Sequence, residues 1–212
     1  MTLPTHHCPV CHHRHTIVID AVVLVVCDSC HHLLKHQSGN LIDLGQTTVA
    51  SGRETLLQIG DTGRLRNRPF EVISQISFCT TDEPDILWHE WAIIFEDKTF
   101  GFIYVYEDEI LYTTNSSQHI TPSSIPRYDD IEIGDNLEIN RHQFVVEEKG
   151  EAVVVALAGQ HVEVEIPGEQ YKYLDLTLRP PYIASLEYKP EGCLLYFGTA
   201  IERENLIINR LL

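Results

Sequence analysis

Four cysteines near the N-terminus carry the clearest chemical signal in the sequence. They form two Cys-x-x-Cys pairs separated by fifteen residues, namely Cys8, Cys11, Cys27 and Cys30. Each pair can present two thiolates to one ion, and the segment between the pairs is long enough to bring them together. Four thiolates complete a tetrahedron and leave no position for a substrate. The spacing therefore predicts one structural Zn²⁺ site.

The segments around the cysteines must form strands to hold such a site. Residues 15–26 (HTIVIDAVVLVV) are β-branched and apolar, and they predict a two-stranded hairpin between the two cysteine pairs. We therefore expect residues 1–36 to form a zinc ribbon, a unit too small to fold without its metal. Residues 37–55 are polar and rich in Gly, Ser and Thr, which predicts a linker.

The charge of the chain restricts its partners. The formal net charge is −16, from 15 Lys and Arg against 31 Asp and Glu, and almost all of the acidic excess lies beyond the ribbon. This charge argues against nucleic acid and anionic lipid, and it favours a cationic partner. The sequence shows no signal peptide and no apolar run that could span a bilayer, so we expect a cytoplasmic protein. Reduced thiols that bind metal fit that compartment.

Beyond residue 55 the sequence predicts β-structure almost everywhere. Segments such as Glu71–Phe78 and Phe100–Tyr106 alternate or are rich in aromatic residues, turn residues separate them, and no segment keeps a helical period. We therefore expect little helix.

A weak internal repeat divides this β region. The tripeptide Ile-Gly-Asp at 59–61 recurs 74 residues later at 133–135, and apolar residues at 70 and 72 recur at the same offset. The predicted fold is mostly β, with the zinc ribbon followed by two similar small β-barrel or sandwich halves at 56–120 and 121–212. Chance similarity among hairpins is the alternative.

Eight of the twelve histidines crowd around the cysteine pairs. They are His6, His7, His12, His13, His15, His31, His32 and His36. They could form a second metal site, a pH-sensitive basic patch, or simply solvated loop side chains. Replacement of one cysteine ligand by His12 or His13 is a further alternative.

The segment from Trp88 to Trp91 contains groups that can do acid–base chemistry. Neighbouring residues on a strand point to opposite faces, so His89 and Glu90 cannot easily share one substrate. We expect packing and surface roles there. The aromatic residues from Phe100 to Tyr106 could pack the sheet or form a ligand platform.

The remaining candidate groups give weaker signals. Acidic clusters at 82–85 and 107–109 could be solvated turns or a cation site. Cys79 and Cys193 are expected to be buried, inert thiols. Hydrolase, metalloprotease, phosphate-loop and dinucleotide-binding motifs do not occur in the sequence, so we expect a non-enzymatic protein.

Several motifs in this order resemble those of the bacterial domain of unknown function family 4178. They are Ile59-Gly60-Asp61-Thr62-Gly63, Pro69-Phe70-Glu71-Val72-Ile73, Trp88-His89-Glu90-Trp91, Leu195-Tyr196-Phe197-Gly198 and the CPVC ribbon. His12 and Ser74 stand where that family commonly has glycine. Its members have no established activity and sit beside membrane-stress and polyamine-synthase-like proteins. The resemblance therefore implies an accessory role.

These observations lead to three functional expectations. The first is an adaptor whose acidic β body binds a protein partner with a basic surface, in a membrane-stress system. The second is a binding domain for a polyamine or another small cation, held by carboxylates and by aromatic faces such as Tyr104 and Tyr106. The third, nucleic-acid binding through the ribbon, is disfavoured by the acidic charge.

Overall fold

Strands make up nearly all of the regular structure. The structure is a computed structural model that describes residues 5–49, 55–106, 109–114, 118–120, 125–189 and 192–210. Within these residues there is no α-helix, and two short 3-10 turns lie at Tyr128–Asp130 and Arg203–Asn205. The strands are β1 (Thr5–His7), β2 (Arg14–Thr16), β3 (Leu24–Val26), β4 (His32–Gln37), β5 (Asn40–Thr47), β6 (Thr62–Leu65), β7 (Arg68–Thr80), β8 (Trp88–Phe95), β9 (Phe100–Tyr106), β10 (Glu109–Thr114), β11 (Gln118–Ile120), β12 (Asn136–Ile139), β13 (His142–His161), β14 (Gln170–Arg179), β15 (Tyr182–Lys189), β16 (Gly192–Ile201) and β17 (Leu206–Asn209).

Each cysteine pair lies in the turn of its own hairpin. β1 pairs with β2 around the first cysteine pair, and β3 pairs with β4 around the second. β2 and β3 belong to different sheets, so the hairpin predicted between the two cysteine pairs is wrong. The apolar segment at 15–26 instead gives one strand to each hairpin, because each cysteine turn folds its two flanking strands onto each other.

Part of the segment predicted as a linker is a strand. β5 pairs with β4 in the register His36↔Leu41 and makes the ribbon sheet three-stranded. The prediction of a linker over 37–55 is therefore wrong for residues 40–47. The sequence signal was weak because only Leu41 of this strand is buried, so the strand lacks a clear apolar alternation.

Eight strands close into one barrel. The order is β7, β8, β9, β10, β16, β15, β14 and β13, and β13 pairs back with β7. β13 is long enough to do this because its first part pairs with β14 and its later part with β7, while its last residues pair with β3 of the ribbon. Closure leaves the barrel strands without open edges.

Both predicted halves contribute to this single barrel. The segment 56–120 supplies β7 to β10 and the segment 121–212 supplies β13 to β16, so within the described residues they do not form two separate barrels or sandwiches. The turns at the repeated tripeptides make matching hydrogen bonds. Gly60 N donates to Val72 O at 2.9 Å, and Gly134 N donates to Val146 O at 2.8 Å. Both glycines have positive φ, 86° and 91°, which explains why glycine recurs there.

The apolar cores lie mainly outside the barrel wall. One core covers the outer face of β13 to β16 and includes Phe144, Leu174 and Leu186, while another covers the outer face of β7 to β10 and includes Trp91 and Ile93. A third joins the ribbon to one end of the barrel, and its members include Leu24, Val26, Leu33, Ile76, Phe78 and Leu157. The ribbon therefore packs against the barrel and covers that end.

Among the described residues, no helical segment has the length and apolar character needed to cross a bilayer.

Candidate functional site

The four predicted ligands lie together at the tips of the two ribbon hairpins. All four sulfur atoms lie within 4.8 Å of one another. The Cys8 and Cys30 Sγ atoms are 3.7 Å apart, and those of Cys11 and Cys27 are 3.5 Å apart. A tetrahedron with Zn–S bonds of about 2.3 Å has S–S edges of about 3.8 Å, so the spacing suits one tetrahedrally bound metal ion.

The two cysteine turns share one backbone geometry. Cys8 N donates to His13 O and Cys27 N donates to His32 O, both at 2.9 Å. The residue after each second cysteine has a left-handed conformation, with φ of 63° at His12 and 60° at His31. Histidine therefore takes the conformation that glycine adopts more easily, and it does so in both turns.

The surroundings of the cysteines affect their acidity in opposite directions. A backbone hydrogen bond from His13 lowers the pKa of Cys11 to about 6, whereas burial raises the pKa of Cys27 to about 12. The Nε2 atom of buried His15 lies 3.4 Å from Cys27 Sγ and can donate a hydrogen bond to a thiolate there. A bound divalent metal would favour the thiolate form of all four ligands.

The remaining histidines do not assemble a second site of this kind. The four cysteines are the one group of three or more His, Cys, Asp or Glu side chains, in the described part of the chain, whose ligand atoms lie close enough for one ion. The rings of His6 and His36 are 5.2 Å apart, and His36 Nδ1 lies 2.9 Å from Val22 O. These contacts fix the positions of ribbon side chains.

The barrel encloses a second candidate site, a cavity of about 420 Å³. Seven of its lining side chains are carboxylic acids: Glu83, which is exposed, and six less exposed ones, namely Glu90, Glu148, Glu163, Glu165, Asp175 and Glu187. Its aromatic walls include Trp88, Tyr104, Tyr171, Tyr173 and Tyr196. No Lys, Arg or His of the described residues lines it. The volume is in the range of small-molecule sites.

One ammonium group lies beside these carboxyl groups. Lys189 Nζ forms ion pairs with Glu165 and, at 2.9 Å, with Glu187 Oε2, and it lies 4.8 Å from the centre of the Tyr171 ring. The side chain of Lys189 is only 8% exposed. The chain thus holds a primary ammonium between two carboxylates and an aromatic face.

The other carboxyl groups have weaker partners. Glu163 accepts a hydrogen bond from Tyr196 Oη at 3.1 Å, and Glu148 accepts one from the Tyr173 hydroxyl. The described residues provide neither a hydrogen bond nor an ion pair for Glu90. Its side chain is enclosed by the barrel, and it lines the cavity.

Burial makes these carboxyl groups weak acids. It raises the pKa of Glu163 and Asp175 to about 7, with neighbouring carboxylates adding to the effect. Burial also raises the pKa of Glu165 to about 7, although Lys189 acts in the opposite direction. Burial has the largest effect on Glu90, and the nearby negative charge of Glu163 adds to it. Together they raise the pKa of Glu90 well above its ordinary value. A positive charge in the cavity would lower these pKa values.

Strand alternation places the residues of the Trp88–Trp91 segment as expected. Trp88 and Glu90 line the cavity, whereas His89 and Trp91 pack together on the other face with ring centres 5.9 Å apart. His89 Nδ1 lies 3.0 Å from Ser77 Oγ. His89 and Glu90 therefore do not act on one substrate.

The other sequence candidates are only partly brought to the cavity. Tyr104 and exposed Glu83 line it, whereas the Tyr106 side chain and residues 107–108 lie outside what the structure describes. Cys79 and Cys193 are buried, as predicted.

Sequence reasoning missed most of the cavity. The missed residues are Glu148, Glu163, Glu165, Tyr171, Tyr173, Asp175, Glu187 and Tyr196. The sequence does contain a signal for them, because residue types alternate within each of two segments. In 161–166 (HVEVEI) the acids occupy every second position, and in 170–175 the residues at 171, 173 and 175 alternate with apolar or basic ones.

Comparison of the chain with protein-family models, with curated proteins and with solved structures finds no match.

Proposed function

We propose that this protein binds a small organic cation inside its barrel. The observation that carries the proposal is the imbalance of charge in the cavity. Besides exposed Glu83, six carboxyl groups line it, and Lys189 supplies the one ammonium that contacts any of these six within the described residues. Buried carboxylates are stable when a positive charge lies beside them. A cationic ligand would supply the charge that the chain lacks.

The walls of the cavity support an organic ligand. Tyrosine and tryptophan faces attract cations and also pack against hydrocarbon. The contact between Lys189 and the Tyr171 ring is an example of both within this protein. This arrangement favours the small-cation alternative over the protein-partner alternative that the sequence left open.

The other expectations from the sequence stay predictions. They are the adaptor role with a basic protein partner, the absence of enzymatic activity, the cytoplasmic location and the resemblance to family 4178. We further propose that the cysteine site holds Zn²⁺ in a structural role, which the sulfur spacing supports. Similarity between the two halves is a proposal supported by the matching turns at 60 and 134.

Calorimetric titration with simple amines tests the proposed function. We would titrate the full chain with n-butylamine and 1,4-diaminobutane at pH 8 in 0.15 M NaCl, where loose surface attraction is screened. We expect saturable binding of at least one amine, weakened about tenfold or more by Glu90→Gln because a buried charge partner is lost. Glu138→Gln is the matched control, since Glu138 is an exposed carboxylate outside the cavity. Absence of saturable binding for both amines would refute the proposal.

A further inference from the structure

The carboxyl groups of the cavity are spread out instead of converging on one point. All of them are described, and no three of them bring their oxygen atoms within 4.8 Å of one another. Mg²⁺ and Ca²⁺ need several oxygen ligands at about 2.0–2.6 Å from one centre. The arrangement therefore does not suit a single metal ion, and it suits positive charges that are themselves separated.

Lys189 shows how the cavity holds one such charge. Its ammonium contacts Glu165 and Glu187 and lies over the Tyr171 ring, at the end of its own aliphatic stem. Glu165 is 4% exposed, so this is an enclosed ammonium position. A primary ammonium on a hydrocarbon chain is thus a group that these walls accept.

Two carboxyl groups that Lys189 does not contact, Asp175 and its cross-strand partner Glu148, lie farther along the barrel. Asp175 stands four residues from Tyr171 on β14, which is about 13 Å of strand. It pairs across the sheet with Ser185, which lies four residues from Lys189 on β15. Glu90, on the far side of the barrel, pairs with Tyr104 on β9. Carboxyl groups therefore occur at more than one height in the cavity, and Lys189 contacts only Glu165 and Glu187.

The surfaces between these carboxyl groups are largely aromatic. Tyr173 lies between Tyr171 and Asp175 on the same inward face of β14, and Trp88 precedes Glu90 on β8. Aromatic faces of this kind contact methylene groups and attract cations. The cavity thus alternates carboxylates with hydrocarbon-binding walls.

From this pattern we propose that the ligand is a linear aliphatic amine with two or more ammonium groups. One ammonium lies near Glu90 and Glu163, another lies near Asp175 and Glu148, and the methylene chain contacts the tyrosines between them. Lys189 keeps its place beside Glu165 and Glu187. This inference rests on the proposed function, because it specifies the class of cation.

A chain-length series tests the ligand class. We would titrate the full chain, at pH 8 in 0.15 M NaCl, with n-butylamine, 1,4-diaminobutane, spermidine, tetramethylammonium and MgCl₂. Each added ammonium that meets a buried carboxylate should tighten binding about tenfold or more. We expect spermidine to bind more tightly than the diamine, and the diamine more tightly than the monoamine.

Variants connect each end of the ligand to its carboxylate. Glu90→Gln and Asp175→Asn should each weaken spermidine binding about tenfold or more, whereas one of them should leave n-butylamine binding unchanged, since a monoamine occupies one position only. Glu138→Gln should change neither affinity. Circular dichroism would establish that each variant is folded. If one variant does not fold, the spermidine affinity of the other still tests the placement of the ligand.

The outcomes separate this inference from the proposed function. If n-butylamine or tetramethylammonium binds as tightly as spermidine, the class of ligand is wrong while an organic cation site remains. If MgCl₂ alone binds, or if no cation binds, both proposals are wrong. Spermidine affinity that neither variant changes would also overturn the proposed placement.

Discussion

Replacing Asp175 with asparagine should stabilise the ligand-free protein above pH 7. Burial raises the pKa of Asp175 to about 7, the Ser185 hydroxyl acts in the opposite direction, and the carboxylates of Glu148 and Glu187 add to the increase. A carboxyl group whose pKa is raised by folding has no destabilising effect below its ordinary pKa. It destabilises the fold increasingly as the pH rises from about 4 through 7.

The size of the effect follows from the change in pKa. A difference between an ordinary value near 3.9 and about 7 corresponds to about 4 kcal/mol in the free energy of unfolding. Water in the cavity reduces this, so we expect Asp175→Asn to raise the free energy of unfolding at pH 8 by about 2 to 4 kcal/mol. At pH 4 the difference should fall below about 1 kcal/mol. Asparagine has the same shape and can still accept a hydrogen bond from Ser185.

Urea unfolding of the amine-free protein at pH 4 and pH 8 measures this effect. Asp129→Asn is the matched control, because Asp129 is an exposed carboxylate whose hydrogen bond from Lys172 lowers its pKa. That variant should be about as stable as the wild type or slightly less stable at both pH values. If Asp175→Asn were no more stable than the wild type at pH 8, the charge argument for the cavity would be refuted.

Three further perturbations address the metal site, the barrel wall and the cavity. Cys27→Ser should remove the bound metal and lower the free energy of unfolding by about 3 kcal/mol or more. If the wild type were equally stable with and without a chelator, the metal would not be structural. Gly159→Ala should destabilise by about 2 to 4 kcal/mol in urea unfolding, because a Cβ atom there would lie 2.2 Å from Ile73 O at a φ of +84°. Gly168→Ala is its control, since φ is also positive but no atom lies within 4 Å, and it should cost only about 1 kcal/mol. Binding of 1,4-diaminobutane should tighten about tenfold or more between pH 6 and pH 8, because carboxyl groups such as Glu163, with a pKa of about 7, must lose their protons to bind a cation. Calorimetry showing pH-independent affinity would contradict this.

The metal site could be predicted because its four ligands lie in two short sequence motifs. The spacing of two Cys-x-x-Cys pairs defines the ligands, and the structure brings all four sulfurs together. The pairing of the strands around the cysteines could not be predicted from the sequence in this way. Apolar residues at 15–26 favour strands but do not identify their partners, which proved to be the strands on the other side of each cysteine turn.

The barrel and its cavity depend on contacts that are distant in sequence. The β character of the chain follows from composition, but closure rests on pairings such as Phe78 with Val154, which no local pattern specifies. The six less exposed acids of the cavity come from five separate segments of the chain. Glu90 was correctly assigned to the face opposite His89, yet its companions Glu163 and Asp175 became recognisable only after closure had turned one face of every strand inward.

Strand β13 has a consequence for how the chain folds. It pairs with β12, β14, β7 and β3, so the ribbon and the barrel share one backbone segment. During synthesis the four cysteines emerge before the barrel strands and can bind metal early, but β3 lacks its β13 partner until Gln160 and His161 have been made. β7 likewise lacks its β13 partner until residues 152–159 have been made. Pairing between strands that lie far apart in sequence is slow. Completion of β13 is therefore the step that joins the ribbon and the barrel into one cooperative unit.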